Sequence, residues 1–189
     1  MISIIIYFSG CIGNNSNNDT REMCNYDYNI FIESNSSYNV LVPIPVYSDV
    51  NREIIISNLN ENLRIIDGNA TFNIQNTSFG PALMINGNGS NTIGFSGSDL
   101  NEFLIDGEYT QLFLSLAQDK DNDGYYDDEY GKVDYHLKLE DNSLLRVNME
   151  FIYSHENGPG TYIRSAIKIE GHLVEGWNNV EGTFITEIE

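Results

Sequence analysis

The run Asp119-Lys120-Asp121-Asn122-Asp123-Gly124-Tyr125-Tyr126-Asp127-Asp128-Glu129 holds the residue types best suited to chemistry in this 189-residue chain. Carboxylates at 119, 121 and 123 turn to the inside of a curling loop, and Gly124 permits the sharp bend that follows. Tyr125 then offers a main-chain carbonyl, while Asp127 and Asp128 supply further oxygens. These are hard donors, the set that suits Ca2+. Residues 119–134 contain seven acids and two lysines, a crowding of like charge that a bound cation would offset. The expectation is a calcium-stabilised loop with Asp119, Asp121, Asp123, Tyr125, Asp127 and Asp128 as ligands. Its role would be to rigidify a connection between strands. A solvated acidic loop is the plainer alternative. Tyr125, Tyr126 and Tyr130 also leave open a sugar-bridging role.

The same spacing resembles the calcium loops of dockerins, thrombospondin type 3 repeats and EF-hands. An EF-hand needs a bidentate Glu at the twelfth position, where this chain has Tyr130. The resemblance therefore implies a metal loop and not a helix-loop-helix sensor.

Nothing else reads as a reaction centre. His136, His155 and His172 have no metal-ligand spacing, and no Gly-x-Ser-x-Gly elbow or phosphate-cradling glycine loop occurs. Glu150 and Glu170 fall on neighbouring expected strands, as a glycosidase pair would, but both take the polar phase. Trp177 is expected to pack in the core. The chain is not expected to be an enzyme.

At the N-terminus, the apolar run Met1–Phe8 precedes Ser9-Gly10-Cys11. Small residues before a cysteine resemble the lipobox of bacterial and archaeal lipoprotein precursors. The resemblance implies cleavage before Cys11, lipidation of its thiol and attachment to the outer face of the cell membrane. Phe8 replaces the usual aliphatic residue, and no Lys or Arg precedes the run, so translation is expected to start further upstream. Two lipid chains would be needed for stable anchoring. Residues 12–25 are polar and Asn-rich, a tether of roughly 45 Å when extended. If Cys11 is not lipidated, it and Cys24 could instead close a disulfide loop.

Six Asn-x-Ser/Thr triplets begin at Asn14, Asn18, Asn35, Asn69, Asn76 and Asn88, each a possible glycosylation site in an exported chain. The formal net charge is −19, from 28 acids and 9 bases. A field of that sign repels nucleic acid and anionic head groups. It suits cations, basic proteins or neutral sugars.

The elements that must position these residues show a period of two. Tyr26, Tyr28, Ile30 and Ile32 alternate with polar neighbours; so do Val133–Leu139 and Leu145–Tyr153. Ser34–Ser37 makes a turn into the apolar stretch Tyr38–Tyr47, where Pro43 and Pro45 suggest a sheet edge. Residues 52–66 admit two strands or a strand and one helical turn. Asp141-Asn142-Ser143 reads as a hairpin loop. The expected fold is all-β, an antiparallel two-sheet sandwich or jelly roll of about nine strands. Residues 1–10 are expected as a signal peptide, 11–25 as a tether and 26–189 as one domain.

The lipobox, the tether and Tyr38–Tyr47 together resemble uncharacterised surface lipoproteins of methanogenic archaea, which brings no known activity. The expected function is non-enzymatic binding or envelope structure. A carbohydrate-binding module, a subunit of an extracellular assembly and a glycosidase-like enzyme are the alternatives. Expected partners are the membrane, through a lipid on Cys11, and carbohydrate or another surface protein.

Overall fold

The computed structural model describes residues 23–47, 59–100, 104–105, 108–109, 112–118, 131–141, 144–156 and 162–188. Strands β1 (Met23–Ser34), β2 (Ser37–Val42) and β3 (Pro45–Tyr47) are followed by one helical turn, α1 (Leu59–Asn62). Next come β4 (Arg64–Asp67), β5 (Ala70–Thr77), β6 (Gly80–Asn88), β7 (Asn91–Leu100), β8 (Leu104–Ile105), β9 (Glu108–Tyr109) and β10 (Leu112–Leu114). The chain ends with β11 (Lys132–Leu139), β12 (Leu145–Glu156), β13 (Tyr162–Leu173) and β14 (Gly176–Ile188). Among the described residues, no helix is long and apolar enough to cross a membrane.

Ten strands form one antiparallel sheet, ordered β4-β7-β1-β12-β13-β14-β11-β2-β6-β5, nearly closed into a barrel. The all-β, antiparallel expectation is met, and the ladder joins ten strands in one sheet where two sheets were expected. Alternation tells each strand which face to bury, but it does not say whether two buried faces belong to two sheets or to one that wraps. The connections show how it wraps. β1 and β2 stand third and eighth in the order, yet only Asn35 and Ser36 lie between them. So short a link spans roughly 10 Å, the distance between stacked sheet faces. β6 and β7, β4 and β5, and β11 and β12 are joined in the same way across the order. Strands β4-β7-β1-β12-β13 therefore make one wall and β14-β11-β2-β6-β5 the other, with the β13–β14 ladder as the continuous side.

The space between the walls is filled. Tyr28, Ile30 and Ile32 of β1 meet Tyr38, Val40 and Val42 of β2, Leu83 and Ile85 of β6, and Val147, Met149 and Phe151 of β12 in one core. Leu59 and Leu63 join that core from α1 and its end. The Tyr28 hydroxyl donates to the Pro43 carbonyl, and burial pushes its pKa up. Gly182 is required where β14 passes under Tyr135, because a Cβ there would overlap the ring.

One further reading is corrected. Asp141-Asn142-Ser143 is not a hairpin: β11 pairs with β14 and β2, and β12 with β1 and β13. A polar loop serves a cross-core link as well as an in-sheet turn. β2 is flanked by β11 and β6, and the sheet edge that the prolines suggest falls instead at β3, which carries Pro45 and pairs with β10 alone among the described strands. Pro43 and Pro45 mark where β2 ends and β3 takes up pairing with β10. The first strand begins at Met23, inside the stretch expected as tether. The single helical turn settles 59–62, while 52–58 lies outside the described residues.

The barrel has two distinguishable ends. The turns at 34–37, 67–70 and 88–91 cluster at one. The start of β1, the Thr77–Gly80 hairpin and the β12–β13 connection lie at the other.

Candidate functional site

On the outside of the first wall, the polar phases of β7, β1, β12 and β13 line up in rows. Register places Thr92, Phe31, Asn148 and Glu170 in one row. Asn29, Glu150 and Lys168 form the next. Together they line a shallow depression of about 270 Å³. Its floor is made by the backbone of Ile30, Met149 and Ile169, whose side chains point inward to the core. Phe31, 39% exposed, is the apolar element among amides, carboxylates and an ammonium.

Charge on this face is paired. Lys168 Nζ lies 3.1 Å from Glu150 Oε1. Arg146 donates to Glu170 and lies 3.7 Å from Glu33. The Glu170 hydrogen bond, then its charge, raises the Arg146 pKa further. Glu150 and Glu170 thus share one face as their strand phase foretells, but they stand side by side, each held by a cation, and do not oppose each other across a cleft. Asn148 Oδ1, shielded beside Phe31, has no hydrogen-bond partner among the described residues.

The outside of the second wall differs. Leu41 of β2 and Ala82 and Met84 of β6 take the outward phase, and Leu116 with Phe79 covers them. Leu116 reaches that position from a left-handed backbone, φ +63°. Phe79 stacks on His136 at 4.1 Å, and Trp177 meets Phe79 edge-on at 4.8 Å. Trp177 is 41% exposed, so its expected core position is corrected. Counting outward by two from buried Val180 leaves 177 on the outer phase, a signal the sequence did carry. Lys138 stands over the same ring. His172 is exposed, whereas His136 is half-buried under Phe79.

The remaining sequence candidates divide by position. Asp119, Asp121, Asp123, Tyr125, Asp127 and Asp128 lie outside the described residues, as do Cys11, Asn14 and Asn18. The ends of the acidic stretch are fixed, however. Gln118 N donates to Asp134 O, and Phe184 N donates to Gly131 O, both at 2.7 Å. The twelve residues 119–130 fall between these two bonds in sequence and lie outside the described residues. Among the described residues, no three His, Cys, Asp or Glu side chains converge to hold a metal. Asn35, Asn69, Asn76 and Asn88 are all exposed. Comparison with known proteins finds no matching family model, no matching curated protein and no matching solved structure.

Proposed function

We propose that this chain is a non-enzymatic binding protein of the outer cell surface, held to the membrane by a lipid on Cys11, whose first wall takes a neutral polyhydroxylated ligand of the carbohydrate class. The depression around Phe31 carries the reading. Sugars present apolar C–H faces and hydroxyls together. An exposed ring ringed by Asn29, Asn148, Glu150, Glu170 and Lys168 offers a matching set of acceptors and donors. A net charge of −19 disfavours anionic ligands and leaves neutral ones unaffected.

The paired state of the two glutamates supports binding over hydrolysis. A glycosidase keeps one carboxyl protonated and the other free to act on the sugar, whereas Lys168 and Arg146 hold Glu150 and Glu170 as orienting acceptors. The hydrolytic reading retains one favourable observation, the presence of both carboxylates on one depression. Calorimetric titration of neutral oligosaccharides separates the two. Binding without product release, weakened at least tenfold by Phe31→Ala, is the expected result. Hydrolysis abolished by Glu150→Gln or Glu170→Gln would replace it with the enzyme reading. No binding to wild type would overturn both.

Anchoring and calcium belong to the same proposal. Cys11→Ser is expected to release the chain from the membrane fraction. Calcium bound by the 119–130 stretch, whose two ends are fixed on β11 and β14, is expected to raise the melting temperature. Asp121→Ala should remove that rise.

A further inference from the structure

We infer that Asn35, Asn69 and Asn88 carry N-linked glycans, so that one rim of the barrel, the rim farthest from the start of β1, is sugar-covered. The inference rests on the outer-surface reading, and adds to it which asparagines are used and which way the domain faces.

Three of the turns at that rim meet at the 88–91 turn. Ser37 pairs with Asn88, and Gly89 N donates to Ser36 O at 3.3 Å. Asn91 Nδ2 donates to Gly89 O at 3.1 Å and to the Tyr38 hydroxyl at 2.8 Å, tying the 88–91 turn to β2. Gly68, at φ +95°, packs so closely on Ser90 and Asn91 that a Cβ would clash with both. Each turn carries one acceptor triplet: Asn35-Ser36-Ser37, Asn69-Ala70-Thr71 and Asn88-Gly89-Ser90.

Each acceptor is also held outward. The Ser34 hydroxyl accepts from Ser36 N at 3.2 Å and leaves Asn35 at the tip of the turn. Asn69 follows Gly68 at the tip of the next, and Asn88 ends β6 in the outward phase, opposite to inward Ile85 and to Gly87 packed on Tyr38. The buried amide in this region is Asn91, and its triplet ends in Ile93, so it heads no acceptor motif. The split between buried strut and exposed acceptors is what a modified rim requires, because bulky sugars leave the packing beneath them untouched.

The transfer needs a co-reactant of one class, an oligosaccharide linked through its anomeric carbon to a polyisoprenoid phosphate. The asparagine Nδ2 attacks that carbon and forms an N–C bond. The C–O bond to phosphate breaks, the lipid phosphate leaves with the electron pair, and one amide proton passes to a base. No oxidant or reductant enters.

At the opposite end lies Met23, where the chain enters the barrel from the Cys11 side. Sugars on the turn rim would then point away from the membrane, at the end of the wall nearer the Phe31 depression.

Mass spectrometry of glycopeptides from the full chain, purified from membrane and cytosolic fractions of the cells that make it, tests this. The expected result is sugar on Asn35, Asn69 and Asn88 in the membrane fraction. Each of Asn35→Gln, Asn69→Gln and Asn88→Gln should lower the intact mass by one glycan without altering the melting midpoint of the deglycosylated protein. Bare asparagines at all three positions on membrane-bound chain would overturn the inference alone. Bare asparagines on a cytosolic chain that retains Met1 would overturn the outer-surface reading with it.

Discussion

The two walls bury equivalent apolar faces inward and present opposite surfaces outward. Outside β7-β1-β12-β13 the outward residues are mostly polar or charged, Phe31, Ile152 and Ala166 excepted, and cross-strand partners satisfy one another: Glu150 with Lys168, Arg146 with Glu170 and Glu33. Outside β2 and β6, Leu41, Ala82 and Met84 break that rule and need a cover, supplied by Leu116 and Phe79. One wall is therefore finished by pairing and leaves a depression accessible to a ligand. The other is finished by a small second core. A wall that must be covered serves stability; a wall that is complete in itself is free to bind.

The largest expected effect probes that division. Leu116→Ala removes the lid of the second cluster and should cost about 2–4 kcal/mol in urea unfolding. Phe31→Ala on the first wall should cost about 1 kcal/mol or less. Equal losses would erase the distinction between the walls.

Next comes the strut between them. Tyr28→Phe removes the bond to Pro43 and should cost about 1–2 kcal/mol. Tyr28 also fixes a pH dependence. Burial raises its folded pKa above the usual value, so the native chain keeps a proton that the unfolded chain releases above about pH 10. The stabilisation is fully present below that pH and is lost as pH rises above it, by about 1.4 kcal/mol per unit for one tyrosine. Unfolding midpoints measured from pH 9 to 11 should fall less steeply in Tyr28→Phe.

Smaller effects follow on the outer surfaces. Trp177→Ala, which removes an edge-on contact with Phe79, should cost about 1 kcal/mol and leave sugar affinity unchanged. Lys132→Ala breaks an exposed pair with Glu181 and should shift stability by less than about 0.5 kcal/mol.

Much of this arrangement was legible in the residues. Ile30 and Ile32 flank Phe31, which places its ring outward, and the same count puts Glu150 and Glu170 on the outer face. What alternation could not supply was the identity of each strand's neighbours. Asn35-Ser36 and the polar residues after Leu139 look like hairpin turns in a one-dimensional reading. The strands on either side of each do not pair with one another, because pairing across the sheet is decided by which buried faces meet, a long-range property. The covering of Leu41 and Met84 was hidden for the same reason. Its lid, Leu116, comes from a segment far away in sequence and from a backbone conformation that a branched side chain seldom adopts. The acidic stretch showed the reverse balance: its chemistry was plain in the sequence, and the structure adds the fixed ends at Gln118 and Gly131.

The most direct test of the account is an amide-resolved NMR titration of the full chain with a neutral oligosaccharide. Ligand-dependent shifts should gather at Asn29, Phe31, Thr92, Asn148 and Lys168, with Phe79, His136 and Trp177 unmoved. Shifts centred on Trp177 and Phe79, or none on either wall, would contradict the assignment of binding to the polar wall.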